Sequence, residues 1–197
     1  MSVRDQLLAL QWSQLKHDEA YHKDVVILPL AERIKHMALH NAKYTGHFLD
    51  AIEAGDGVRL AKTLTDGFII ALASANTLNQ DLGQDLAEVG ETHSLQAAGQ
   101  RLASSLRRDE SDRLWIMRQF ARHTGQLAKI CESWDHLESV PFRESMKACN
   151  LALLQAVLAD SAGRAIDLAA AYQARIRVIE TRSIFDRLFR QDAGSEA

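Results

Sequence analysis

Apolar residues recur along this chain at helical spacing, and no stretch shows the strict alternation of a half-buried strand. The pattern predicts a first amphipathic helix over residues 2–22, with Leu7, Leu8, Leu10, Trp12 and Leu15 as packing positions. A second helix runs over 29–54 and starts at Pro29, where a fixed φ and a missing N–H do no harm. Its apolar face carries Leu30, Ile34, Met37, Ala38, Thr45, Phe48, Leu49 and Ile52, and that side is expected to be buried. Gly55-Asp56-Gly57 breaks it, and Asp56 is placed to cap a third helix.

Residues 79–91 read as a polar linker with at most a short helical turn. Thr92 is placed to cap a helix to about residue 108, and a long helix follows over about 109–134. After a loop at 136–141, two closing helices span about 142–162 and 164–189, and 191–197 form a polar tail. The fold class is all-α.

The second helix also carries a polar stripe: His36, His40, Lys43 and His47 follow one another at steps of four, three and four, which keeps them on one face. From Phe68 to Ala75 the third helix reads FIIALASA, apolar on every side, so it is expected to be enclosed. Asp66 stands at the entrance to this run. An ionised carboxylate there needs a cation, an imidazole or several N–H donors, which makes Asp66 the best single pointer to a site. The plainer alternative is a structural ion pair with Lys62 or a histidine of a neighbouring helix. His36 and His40 could also hold a transition metal with Asp66 or His47 as third ligand. Solvent- or partner-facing imidazoles are the preferred reading of that pair. Glu19 and His22 have the Glu-x-x-His spacing of a carboxylate-bridged di-iron bundle. No second such pair occurs, so a solvated helix end is the better explanation.

Composition narrows the classes further. Apolar residues make up 47% of the 197 and charged residues 25%, which suits a packed core rather than disorder. The net charge of −3 argues against a general nucleic-acid or anionic-membrane binder. The arginines at 101, 107, 108, 113, 118 and 122 alternate with Asp109, Glu110 and Asp112 and read as a salt-bridged helix face. Cys131 and Cys149 sit in helical apolar patterns and read as buried thiols. No apolar run reaches the length of a membrane span and the N-terminus lacks the apolar stretch of a signal peptide, so a cytoplasmic protein is expected.

An internal repeat is suggested by YTGHFLDAIEAGD from Tyr44 and HTGQLAKICESWD from His123. Thr45, Gly46, Glu53 and Asp56 match Thr124, Gly125, Glu132 and Asp135 in register, and each copy is followed by a turn and a largely apolar helix. A mid-helix Gly costs about 1 kcal/mol against Ala. Its presence in both copies predicts a close helix–helix approach at both places. The division this implies is 1–90 and 91–190, two units sharing one core.

The segments KYTGHFLDAIEAGD and TLTDGFIIALASANTLNQDL resemble the MazG-like, all-α nucleoside triphosphate pyrophosphohydrolases. The resemblance implies a helical bundle built from two such repeats. It also implies Mg²⁺ held by a Glu-x-x-Glu on one helix and a Glu-x-x-Asp at the start of the next. Here the first signature falls on Tyr44 and His47 and the second on Thr63 and Asp66, so one acid of four remains. In the second repeat the positions are His123, Gln126, Glu144 and Lys147, with only Glu144 acidic. Arg175 and Arg182 are the counterparts of the basic residues that approach the phosphates in the family's closing segment. If any metal is bound, the resemblance assigns it to Asp66 and Glu144.

Three functions follow. The first is an anion or nucleotide binder with an eroded metal centre, using His40, Lys43, Tyr44, His47, Asp66, Arg175 and Arg182. The second is an active hydrolase with a non-standard, Mg²⁺-dependent or histidine-based site. The third is a structural or assembly protein, and self-association is implied by the family likeness. The binder is preferred over the hydrolase because Mg²⁺ needs hard oxygen ligands that this face lacks.

Overall fold

The first helix, α1 (Val3–Tyr21), starts at Ser2, whose hydroxyl accepts from the Asp5 N–H while the Asp5 carboxylate accepts from the Ser2 N–H. The computed structural model describes residues 2–86 and 92–195, so the boundary drawn at 90/91 and residues 196–197 of the tail lie outside the described residues. A short turn, α2 (Lys23–Val26), leads to α3 (Leu30–Glu53), for which Pro29 is the N-cap. Gly55, at φ +64°, makes the turn into α4 (Gly57–Leu78), and Asp56 caps that helix through the Arg59 N–H at 2.9 Å. Then come α5 (Leu82–Asp85), α6 (Leu95–Ser105), α7 (Trp115–Asp135), α8 (Phe142–Gly163), α9 (Leu168–Glu180) and α10 (Asp186–Ser195). The described residues are all-α, without a strand, and no helix among them is long and apolar enough to cross a membrane.

Helices α3, α4, α8 and α7 pack in a ring, each against the next, and form the central bundle. Helix α1 lies along α4 and α5, α6 along α8, and α9 against α4. Helix α4 is therefore surrounded, and every residue from Phe68 to Ala75 is buried, as an apolar run on all sides requires. Phe48, Leu64, Phe68, Leu72, Ile116, Phe120 and Leu154 are fully enclosed, each contributing about 1.5–3 kcal/mol. A smaller cluster of Ile34, Ala38, Leu78, Leu127 and Met146 holds the two free thiols, Cys131 and Cys149. The chain after α4 is anchored by buried amides. Asn150 donates to the Ala71 carbonyl and to Gln80 Oε1, both at 3.0 Å, and Gln11 donates to the Gln80 carbonyl at 2.8 Å.

Several local expectations are corrected. Leu8 and Trp12 are more than half exposed, and the covered stripe of α1 is Val3, Leu7, Leu10, Gln14 and His17, because α1 meets neighbours along one narrow line. Leu30 and Leu49 of α3 are likewise exposed, while Asn41, Tyr44 and Ala51 are buried. Ser94, not Thr92, caps α6. Residues 109–114 are turns rather than helix, since the Asp109 and Asp112 side chains accept from the Ser111 and Leu114 N–H groups. The closing stretch is two helices separated at 181–185, and residues of the presumed tail continue α10.

Gly46 and Gly125 are exposed, and a Cβ at either would meet nothing within 4 Å, so neither marks a helix contact. Close approaches occur elsewhere, among them Gly67 against Phe120, Gly83 against the Arg4 backbone and Gly99 against the Leu158 carbonyl. The matching acids Asp56 and Asp135 also differ in role: Asp56 caps α4, whereas Asp135 ends α7 and pairs with Lys35 at 2.7 Å.

Candidate functional site

The polar stripe of α3 faces a cavity of about 490 Å³. Its walls are α3, the C-terminal half of α1, α2, one side of α4 from Arg59 to Thr77, and the end of α9. All seven residues assigned to a ligand line it: His40, Lys43, Tyr44 and His47 from α3, Asp66 from α4, Arg175 from α9, and Arg182 just beyond it. The helical steps that align the first four also turn them toward Asp66 one helix away. Glu144 is exposed in the first turn of α8 and does not line the cavity, so the metal pair assigned to Asp66 and Glu144 is not brought together there.

The cation that Asp66 needs is Arg175. Its Nε donates to Asp66 Oδ1 at 2.6 Å and its Nη2 to Oδ2 at 3.3 Å. Both side chains are largely withdrawn from water, at 13% and 19% exposure. The structural ion pair weighed with Lys62 or a histidine is thus made with a residue 109 positions away.

Along α3 the polar side chains form a chain of contacts. Lys43 Nζ lies 3.1 Å from His40 Nδ1, and His40 Nε2 lies 3.0 Å from His36 Nε2. A lysine donor on Nδ1 assigns the His40 proton to Nε2, facing His36. Burial, with Lys43 and His36 adding to it, lowers the His40 pKa to about 4, so this imidazole is neutral at pH 7. The buried Tyr44 ring carries Lys43 Nζ 4.7 Å from its centroid, a cation–π contact. Burial and the Asp66 charge push its phenol well above the usual range.

The cavity is cationic although the chain is net acidic. Arg33, Arg59, Lys43, Lys62, Arg175 and Arg182 line it against Asp18 and Asp66. Arg59 is drawn off to Asp50 at 2.6 Å, and Arg33 donates to the Val26 and Leu28 carbonyls. Lys43, Lys62 and Arg182 are exposed to solvent on the cavity wall, where an incoming anion meets them.

The end of α1 contributes a wall that the sequence reading missed. His17, Asp18 and His22 each present one ligand-type atom, all within 4.8 Å of one another. Glu19, weighed with His22 as a di-iron motif, is exposed and outside this group. His17 is buried; its Nδ1 lies 3.4 Å from Glu180 Oε1, and its Nε2 has no hydrogen-bond partner among the described residues. Asp18 Oδ1 accepts from Gln14 Nε2 at 2.8 Å. Burial lowers the pKa of both histidines and raises that of Asp18 to about 6. The signal available in the sequence was the pair of histidines five apart across a helix end. It was hidden because His22 leaves helical geometry (φ −130°, ψ 43°) and folds back beside His17.

No protein family, characterised protein or solved structure matches this chain in comparison. The Mg²⁺ centre implied by the MazG-like resemblance does not fit the residues present. Of its four positions in the first repeat only Asp66 is acidic, and Arg175 occupies both its oxygens. In the second repeat, His123 Nδ1 lies 2.9 Å from Gln126 Oε1, and Glu144 is exposed. Neither set offers the oxygen-rich shell that Mg²⁺ requires.

Proposed function

We propose that this chain is a MazG-like helical protein with an eroded Mg²⁺ centre. Its cavity binds a nucleotide or another phosphate-bearing anion without ordinary Mg²⁺-dependent hydrolysis. The observation that carries this reading is the convergence of Lys43, Lys62 and Arg182 on one cavity whose carboxylate Asp66 is already neutralised by Arg175. A volume of about 490 Å³ suits a nucleotide-sized ligand. Tyr44 and Ile70 offer apolar surface beside the cations, a setting for a base or sugar next to its phosphates. The two free, buried thiols suit the reducing cytoplasm.

The packing of α1 on α4 and of α6 on α8, around the ring of α3, α4, α7 and α8, supports two related units. In this reading the first unit supplies most of the ligand site, and the second adds Arg175, Arg182 and the rest of the shared core. The test is a thermal-shift and calorimetric screen of nucleoside triphosphates and inorganic pyrophosphate, with and without Mg²⁺. The expected result is a metal-independent rise in Tm with no release of pyrophosphate. A flat response to every anion overturns the binder, and steady pyrophosphate release with Mg²⁺ overturns the loss of catalysis.

A further inference from the structure

We propose that His17, Asp18 and His22 form a binding site for one divalent first-row transition-metal ion, with Glu180 as the outer carboxylate that fixes His17. The proposal is independent of the anion reading and shares only the cavity with it. Two imidazoles and one carboxylate are a borderline-soft donor set, suited to Zn²⁺ or Fe²⁺ and poorly suited to Mg²⁺ or Ca²⁺.

The state of His17 points to a ligand that belongs there. Its side chain is 3% exposed, and its Nδ1 faces the Glu180 carboxylate, as metal-bound imidazoles commonly face an outer carboxylate. That leaves Nε2, a buried polar atom with no partner among the described residues, on an imidazole that presents a ligand-type nitrogen within 4.8 Å of those of Asp18 and His22. Leaving a buried nitrogen unsatisfied is destabilising, and a bound cation removes that cost.

The outer carboxylate is itself held. Arg177 donates to Glu180 Oε2 at 3.1 Å and Arg190 approaches it at 3.5 Å. Arg177 also grips Asp186 with two bonds of 2.7 Å, and Tyr21 donates to Asp186 at 3.0 Å. Helices α9 and α10 are thereby clasped onto the end of α1, and Glu180 is positioned for His17.

Metal–donor bonds of about 2.0–2.2 Å require three donors that can adjust to one ion. His22 lies at the junction of α1 and α2 outside helical geometry, so it can move toward the ion without disturbing α1. Three protein ligands leave at least one coordination position for water or for a molecule in the cavity that the same residues line.

Titration of the metal-stripped full-length protein with Co²⁺, in the absence of nucleotide, tests the site. The expected result is one Co²⁺ per chain, visible d–d absorption, and displacement by Zn²⁺. Asp18→Asn, which keeps the acceptor for Gln14, and His22→Gln should each weaken binding by about a hundredfold or more. Glu180→Gln, a change in a positioning residue, should weaken it by about 10–100-fold. His36→Gln should leave it within about threefold. Absence of stoichiometric binding in the wild type overturns the site. So does a loss that follows His36 rather than His22, since the α3 imidazoles would then be the ligands. Circular dichroism confirms that each variant is folded. Co²⁺ binding without any anion binding would sink only the reading of the preceding section, and the reverse result only this one.

Discussion

Replacing Asp66 by Asn separates the two roles the Asp66–Arg175 pair could have. The change keeps side-chain size and removes one charge, leaving the Arg175 guanidinium without its counter-ion. Breaking a fully buried pair costs about 3–5 kcal/mol. Here the partners retain 13% and 19% exposure, so water still reaches them and the cost falls to about 1–3 kcal/mol. Binding should move the other way. A phosphate charge about 6 Å from the Asp66 carboxylate is repelled by about 2–3 kcal/mol at an effective dielectric constant near 20. Solvent screening at a cavity open to water leaves roughly half of that, which is about a tenfold gain in affinity for pyrophosphate. Arg175→Gln should destabilise similarly but weaken the anion about tenfold or more. Urea unfolding measures the first quantity and isothermal calorimetry with inorganic pyrophosphate the second. If Asp66→Asn weakens the anion as much as Arg175→Gln does, Asp66 serves the ligand directly or through a metal and the reasoning fails. If neither variant changes binding, the pair is structural.

Gly46→Ala and Gly125→Ala should each raise stability by about 0.5–1 kcal/mol in urea unfolding, because both positions face open space within a helix. Gly99→Ala should lower it by about 1–3 kcal/mol, since a methyl group there collides with the Leu158 carbonyl. Asp160, 1% exposed, accepts from Arg108 Nε at 3.0 Å and Arg164 Nε at 2.7 Å, so Asp160→Asn should cost about 3–5 kcal/mol by stranding the buried Arg108 charge. His40, facing Lys43, His36 and Asp66, is neutral in both states above pH 6.5. Below that the unfolded chain takes up a proton that the folded chain refuses until about pH 4, so stability is lost as pH falls across this window. The stability of His40→Gln should therefore fall less steeply than that of the wild type between pH 6.5 and 4, and equal slopes would refute the assignment.

What the sequence disclosed is what is local. The Asp56 cap, the break at Gly55 and the enclosed run from Phe68 to Ala75 follow from residue chemistry and spacing within a few turns, and all are present. Which edge of a broad apolar face is covered depends on neighbours, so Leu8, Trp12, Leu30 and Leu49 were misplaced. The glycines of the repeated motif read as contact points by analogy, yet tight approaches fall at Gly67, Gly83 and Gly99, which no repeat marks. The break at 181–185 leaves little trace in the hydrophobic pattern; it accompanies the capture of Asp186 by Arg177 and Tyr21 from α9 and α1.

The same distinction explains the cavity. The α3 residues were legible because a charged stripe at helical spacing stands out against an apolar face, and Asp66 because it abuts an apolar run. The α1 wall was not, because buried Gln11, Gln14 and His17 read in sequence as an ordinary wet face. Their burial gives α1 two halves: Leu7 and Leu10 dock in the core, while Gln14 and His17, farther along the same stripe, line the cavity. A leucine at either position would fill space without leaving Gln14 Oε1 or His17 Nε2 unpartnered. It would also remove the Gln14 Nε2 and His17 Nδ1 that the Asp18 and Glu180 carboxylates now meet, so pairing within the chain accounts for one polar atom of each side chain and leaves the other. With Nδ1 turned to Glu180, His17 Nε2 is an acceptor like Gln14 Oε1, and a cation at the proposed metal site, or its bound water, would satisfy both where an anion would not.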